Sequence, residues 1–179
     1  MNNTNVKQKN QNEKPMVSVI MGSTSDLPIM EKALEFLDKM EICFEVNALS
    51  AHRTPQEVEN FATNAAKRGI KVIIAGAGMA AHLPGVIASM TTLPVIGVPI
   101  KSSLDGMDAA LAMLQMPPGI PVATVAINGA LNAAILALQI LALYDENYAV
   151  KINTYKEELK GKIVKANEEL NKLKYKYKV

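Results

Sequence analysis

The stretch MVSVIMGSTSDLP, residues 16–28, decides the fold. A short, mostly apolar run leads into a loop of glycine, serine and threonine, and then into Leu27 and Pro28, which suit the first turn of a helix. An apolar run without strict alternation is typical of a strand buried on both faces. The order strand, small polar loop, helix predicts the first unit of a parallel α/β sheet.

Four more apolar, β-branched runs follow, each ending near glycine, serine, asparagine or proline. We predict five strands, at Met16–Met21, Ile42–Ala48, Lys71–Ala75, Pro94–Val98 and Val122–Ile127. Helical spacing separates them, and Thr54, Pro55 and Glu57 are placed to form a capping box at one helix start. This alternation predicts an α/β fold with three α-β-α layers, a flavodoxin-like, doubly wound parallel sheet of five strands with a long C-terminal helix.

The 179 residues suffice for one domain with a sizeable core. We expect a disordered polar leader over residues 1–14, a flavodoxin-like domain with the catalytic residues over 15–145, and an amphipathic helix over 146–179. The apolar stripe of that helix consists of Tyr148, Ile152, Tyr155, Leu159, Ile163, Ala166, Leu170 and Leu173. A compact sandwich offers no obvious groove for so long a helix, so we expect packing on a neighbouring subunit, with packing on its own domain as the alternative.

Composition argues against several classes of protein. A net charge of +2 gives no electrostatic support for a nucleic-acid partner. No run of ~18 apolar residues could cross a membrane and no signal segment opens the chain, so we expect a cytoplasmic protein without a membrane partner. Cys43 is the single cysteine, and the two histidines lie thirty residues apart without an acidic cluster, so we expect no disulfide and no metal.

Both histidines follow predicted strands. His52 lies in SAHRTP, residues 50–55, and His82 lies in GAGMAAHLPG, residues 76–85. The carboxyl ends of parallel strands share one edge of the sheet, where doubly wound folds bind their ligands. The segments expected to meet at that edge are Gly22–Asp26, Ser50–Thr54, Gly76–His82, Pro99–Gly106 and Asn128–Asn132.

The first of these segments, Gly22–Asp26, has the features of a phosphate cradle. Backbone N–H groups at a helix start, together with serine hydroxyls, bind phosphate well. The segment lacks the G-K-[ST] ending of a nucleotide P-loop and the G-x-G-x-x-G of a dinucleotide site, which favours a monophosphate. The alternative is that Ser25 or Asp26 simply caps the helix.

The pair His52–Arg53 favours acid–base chemistry on an anionic substrate. Arg53 is one of only two arginines in the chain, and its guanidinium can hold a phosphate or carboxylate by two parallel hydrogen bonds. His52 can carry a proton at neutral pH. The alternative is an idle loop histidine and an arginine paired with a helix glutamate. His82 lies near a predicted helix start, near Ala81, where the helix dipole disfavours positive charge, so we expect it to be a neutral hydrogen-bonding group.

Five motifs in order carry a resemblance to a known family: VSVIMGSTSD, SAHRTP, IAGAGMAAHLPG, LPVIGVP and QMPPGIPVATVAI. Together they resemble the 5-(carboxyamino)imidazole ribonucleotide mutase (PurE) family of purine biosynthesis, also called the catalytic subunit of phosphoribosylaminoimidazole carboxylase. The resemblance covers about residues 16–144.

The resemblance implies an isomerase that moves a carboxylate from the exocyclic nitrogen of an imidazole ribonucleotide to a ring carbon, without ATP, metal or other cofactor. It makes His52 the proton carrier and Arg53 the phosphate contact. It also implies homo-octamers in which neighbouring subunits complete each site. The remaining residues that it places at the substrate are Ser23, Ser25, Asp26, Ser50, Ala51, Gly78, Ala80 and His82.

Three departures from the family pattern are visible, one of which is an extended C-terminal helix. Met79 stands where the pattern has glycine, and the segment over residues 128–133 is about two residues shorter than usual. Two rival functions stay open. One is a sister class that carboxylates the aminoimidazole directly with carbon dioxide, although that class tends to carry lysine where this chain has Arg53. The other is a non-catalytic module that binds a phosphorylated metabolite.

Overall fold

A computed structural model describes residues 14–179, and within them the predicted α/β fold is confirmed. Five parallel strands form one sheet in the order β2-β1-β3-β4-β5. They are β1 Val17–Met21, β2 Phe44–Ala48, β3 Val72–Gly78, β4 Val95–Ile100 and β5 Ala123–Thr124. The disordered leader predicted over residues 1–14 lies, except for its last residue, outside the described residues.

Six helices connect and follow the strands. They are α1 Leu27–Lys39, α2 Pro55–Arg68, α3 Leu83–Met90, α4 Met107–Leu114, α5 Ala130–Leu141 and α6 Glu146–Asn171, with 3-10 turns at Thr24–Asp26 and Leu104–Gly106. Proline stands in the first turn of α1, α2 and α3, where its missing N–H is not needed. α2 is followed by Gly69 as its C-cap, whose φ of 105° is the left-handed value that glycine tolerates.

The helices cover both faces of the sheet. Alternate β3 residues Ile73, Ala75 and Ala77 belong to a buried cluster with residues of α2, α3 and α4. The intervening Gly76 faces the other side, because a Cβ there would lie 2.5 Å from the Met30 sulfur of α1. The central strands β1 and β4 are buried throughout, as the apolar runs predict.

The edge strands depart from the prediction. β5 has only two residues, so the expected strand over Val122–Ile127 is mostly irregular. β2 is half-buried, and Val46 is 44% exposed, because an edge strand lacks a neighbour on one side. β3 runs on to Gly78 because it pairs with β4 as far as Ile100. The glycine-rich stretch therefore begins inside the sheet and not in a loop.

The described chain divides into two compact units between Ala137 and Leu138, so the predicted boundary at 145 and 146 falls within the second unit. There α6 forms as predicted, and the Asp145 carboxylate caps it by accepting the Asn147 N–H at 2.8 Å. Several residues of its predicted apolar stripe are exposed, among them Ile163 at 72% and Leu170 at 58%. Packing on a neighbouring subunit stays a prediction. Among residues 14–179, no helix combines the length and the apolar character that a membrane crossing requires.

Candidate active site

A cleft of about 540 Å³ lies at the carboxyl ends of β1, β2 and β3. All ten residues that the sequence places at the substrate line it: Ser23, Ser25, Asp26, Ser50, Ala51, His52, Arg53, Gly78, Ala80 and His82. The parallel sheet brings them together, because the loops after β1, β2 and β3 all leave the same edge.

The loop after β1 is held by its own serine. The Ser23 hydroxyl accepts the Ser25 N–H at 3.3 Å, and the Ser23 carbonyl accepts the Asp26 N–H at 3.1 Å. The Asp26 carboxylate makes no capping bond to α1, so the capping alternative for Asp26 is wrong. Burial raises the pKa of the Asp26 carboxyl, and a hydrogen bond from the Ser23 N–H offsets part of that rise.

The loop after β2 is closed by Thr54. Its hydroxyl accepts the Ser50 N–H at 2.9 Å and donates to the Ser50 carbonyl at 3.1 Å. The predicted capping box is therefore wrong, because the Thr54 hydroxyl bonds to the loop and not to the helix N–H groups. The Ser50 hydroxyl accepts the Arg53 N–H at 3.3 Å, which fixes the backbone of the four-residue turn that presents His52.

Arg53 reaches from the second loop to the first. Its guanidinium donates to the Gly22 carbonyl at 3.2 Å, and the residue is exposed. No carboxylate of the described chain forms an ion pair with it, so the alternative of a structural salt bridge to a helix glutamate is wrong. Its positive charge thus lies beside Ser23 and Ser25 and is available to an anion.

The two histidines, treated separately in the sequence, are in contact. His52 Nε2 and His82 Nδ1 lie 2.7 Å apart, and the rings meet edge to face with centroids 4.9 Å apart. In this contact one ring nitrogen donates and the other accepts, and the tautomers decide which does which. His82 precedes α3 directly, close to the predicted helix start. Moving a proton on one ring therefore changes the hydrogen bonding of the other.

The loop after β3 has an unusual backbone. Met79 and Ala81 have φ values of 56° and 49°, in the left-handed region that side-chain-bearing residues rarely adopt. Gly78 permits the close approach of β4, since a Cβ there would lie 3.1 Å from the Ile100 carbonyl oxygen. The Ala81 N–H donates to the Gly78 carbonyl at 3.1 Å and closes the turn. This folded turn presents Ala80 and His82 to the cleft.

Sequence reasoning missed six lining residues: Gly22, Ala77, Met79, Ala81, Leu83 and Ser102. All but Leu83 lie within strand-end segments that were expected to meet, so their chain position was the available signal. The fifth such segment, Asn128–Asn132, does not line the cleft; the Asn128 amide oxygen instead accepts the Lys101 N–H at 2.9 Å. Within residues 14–179, no three His, Cys, Asp or Glu side chains are grouped to hold a metal ion.

The chain is similar in sequence and in fold to known proteins over most of its length. Residues 16–162 match the family model for AIR carboxylase. The chain is 52% identical to the N5-carboxyaminoimidazole ribonucleotide mutase of Thermotoga maritima, over 90% of this chain and 95% of that protein. It is 54% identical to the corresponding mutase of Methanocaldococcus jannaschii, over 88% and 99%. The crystal structure of Treponema denticola PurE superposes with a TM-score of 0.79 at 32% identity, covering 87% of this chain and 98% of that one. The chain belongs to the AIR carboxylase family.

Proposed function

We propose that this chain catalyses the N5-carboxyaminoimidazole ribonucleotide mutase step of de novo purine biosynthesis, with His52 as general acid and base. The enzyme is an isomerase that converts 5-carboxyamino-1-(5-phosphoribosyl)imidazole to 5-amino-1-(5-phosphoribosyl)imidazole-4-carboxylate. The two curated mutases that are 52% and 54% identical to this chain over the aligned residues support this reaction. The observation that carries the mechanism is the shared cleft, where an imidazole pair lies beside an arginine that has no carboxylate partner in the part of the chain that the structure describes.

The phosphate of the substrate binds between the first two loops. Arg53 supplies a planar, permanently charged donor set that suits phosphate oxygens. The Ser23 and Ser25 hydroxyls lie in the same wall of the cleft. Among residues 14–179 the Arg53 guanidinium donates only to the Gly22 carbonyl, so most of its N–H groups can turn to the ligand. The phosphate thereby fixes the ribonucleotide, with its imidazole directed toward the histidine pair.

The reaction moves one carboxylate, and His52 gives up a proton in the first step and regains one in the second. The bond between the exocyclic nitrogen and the carboxylate carbon breaks, its electron pair stays on nitrogen, and His52 donates a proton there as carbon dioxide leaves. Ring carbon C4 then attacks the carbon dioxide, and the proton displaced from C4 returns to His52. Atoms and charge balance without a co-reactant. The contact with His82 at 2.7 Å orients the His52 ring for both transfers.

The assembly that we propose is a cytoplasmic homo-octamer. The count of eight is what the family resemblance implies. Self-association is supported by an exposed apolar row of residues spaced three and four apart, Leu104 (76% exposed), Met107 (51%), Leu111 (49%) and Leu114 (62%). In the proposed assembly a second copy of the chain packs against this row. Helix α6 also packs on a neighbouring subunit. Sedimentation equilibrium should give eight times the 19.3 kDa chain mass, and a monomer would contradict the proposal.

Replacement of His52 by asparagine tests the mechanism. Asparagine keeps a hydrogen-bonding side chain but cannot carry a proton, so we expect turnover to fall by at least about 100-fold, as for a lost general acid or base. Affinity for the product, measured by calorimetry, should stay within about tenfold because Arg53 still binds the phosphate. Unchanged turnover would remove His52 from the chemistry. Product binding without any turnover by the wild-type protein would favour the non-catalytic module.

A further inference from the structure

Met79 occupies the cleft in an unfavourable conformation. Its backbone φ is 56°, its side chain is 63% exposed, and it lines the cleft between Gly78 and Ala80. Glycine would adopt this backbone without strain and would expose no apolar surface. Met79 therefore costs stability through its backbone, and its exposed side chain gains little stability from burial.

Two other left-handed residues of the described chain, Asn128 and Glu41, carry polar side chains. Leu104, with φ of 43° and 76% exposed, shares the strain and the apolar exposure of Met79 but lies outside the cleft. Asn128, with φ of 58°, uses its side chain to accept the Lys101 N–H. Glu41, with φ of 52°, turns a charged side chain to solvent at the end of α1. Met79 has no polar group that could compensate the strain in either way. A strained residue that projects apolar surface into a cleft points to a role toward the ligand.

Met79 is also the only exposed large apolar side chain among the cleft residues. Leu83, the other large one, is only 2% exposed, and the remaining apolar lining consists of alanine methyl groups. Methionine is unbranched and flexible, so it can cover an irregular surface without a fixed rotamer. The other walls carry serine, aspartate, arginine and histidine, which attract water. The side chain best able to exclude water from the reacting end is Met79.

We propose that Met79 is a lid side chain that folds over the imidazole of the bound substrate and retains the released carbon dioxide until C4 recaptures it. This inference rests on the proposed function. Carbon dioxide is small and carries no net charge, so the charged groups of the cleft hold it only weakly, and a closed apolar wall would slow its escape. Excluding water by closure of a site is a general means of protecting a reactive intermediate.

Label retention tests the lid. Substrate labelled with ¹³C in its carboxylate is converted in buffer that contains unlabelled bicarbonate, and NMR measures the label in the product and the uncarboxylated aminoimidazole released. We expect wild type and Met79→Leu to retain the label. We expect Met79→Gly to lose the label about tenfold faster than wild type, because one lost side-chain contact has an effect of that size. Glu41→Gly is the matched control, because it relieves the same backbone strain at the opposite edge of the sheet and should retain label like wild type.

The outcomes separate the lid from the proposed function. Equal label retention in wild type and Met79→Gly, with conversion intact, overturns the lid and leaves the mutase reaction standing. If Met79→Leu loses the label as fast as Met79→Gly does, the lid is also overturned, because leucine is an apolar side chain that should cover the substrate as methionine does. Failure of the wild-type protein to convert the substrate overturns the proposed function itself. Thermal melting should show both glycine variants folded, since glycine suits a left-handed φ.

Discussion

The only two arginines of the chain lie in opposite chemical settings. Arg68, at the end of α2, donates to both oxygens of the Glu45 carboxylate, at 3.2 and 2.8 Å. It also donates to the Phe61 carbonyl at 3.1 Å, and its guanidinium lies 5.0 Å from the centre of the Phe61 ring. Within residues 14–179 the Arg53 guanidinium donates to a single backbone carbonyl, that of Gly22, at 3.2 Å.

This difference separates a structural arginine from one available to a ligand. Each arginine lines a cleft of about 540 Å³, so volume alone does not distinguish the two places. What distinguishes them is whether the protein itself satisfies the guanidinium. Glu45 neutralises Arg68 and holds it against the sheet edge, whereas the charge of Arg53 faces serine hydroxyls and a pair of imidazoles.

The largest effect that tests this comparison is expected for Arg53→Met. Charged hydrogen bonds contribute about 1.5–3 kcal/mol each, so loss of a phosphate contact should lower kcat/KM by about 100-fold or more. The urea midpoint should not fall, because the Arg53 guanidinium makes only one hydrogen bond within the described chain and the backbone bond to Ser50 is kept. Steady-state kinetics and urea denaturation measure the two quantities. A loss of stability with unchanged kcat/KM would show that Arg53 is structural after all.

The matched variant Arg68→Met should behave in the reverse way. It leaves Glu45 half-buried without its partner, and the two side chains are only 33% and 23% exposed. We expect the free energy of unfolding to fall by about 2 kcal/mol, between the values for surface and buried pairs. Turnover per folded molecule should stay unchanged. A large loss of turnover in fully folded protein would mean that the second cleft also serves the reaction.

The smallest effect is expected for Asp26→Asn, which probes the cleft beside Arg53. Burial raises the folded-state pKa of Asp26 above its usual 3.8, so the folded state binds the proton more tightly than the unfolded state does. Its ionisation therefore costs stability as pH rises from 3.8 through the folded-state pKa. Asp26→Asn should be more stable than wild type at pH 7 and gain nothing below pH 3.8. Denaturation curves across this pH range measure the stability of Asp26→Asn relative to wild type. Lower stability of the variant at pH 7 would contradict the prediction.

The sequence predicted most of the cleft because chain order and parallel pairing decide which loops meet. The runs around Val19 and Ile74 specify buried strands, and the small residues after them specify tight connections to helices. Once β1, β2 and β3 are adjacent, Ser23, His52 and His82 must approach one another. No packing detail is required for that conclusion.

Contacts that depend on a competition between partners were not predictable. The Thr54 hydroxyl matches a capping pattern, yet it bonds to Ser50 because the preceding turn brings that backbone closer. The contact between His52 and His82 depends on the rotamers of both rings. The left-handed turn at Met79 depends on how β3 ends against β4, which residue spacing does not specify.

The most direct test of the proposed reaction uses the wild-type protein and two substrates. The carboxyamino ribonucleotide is supplied in buffer depleted of bicarbonate, and formation of the 4-carboxylate product is followed by chromatography. A mutase forms the product in full, because the migrating carboxylate comes from the substrate itself. Absence of product there, together with product from the uncarboxylated aminoimidazole ribonucleotide and bicarbonate, would contradict the mutase and identify a direct carboxylase.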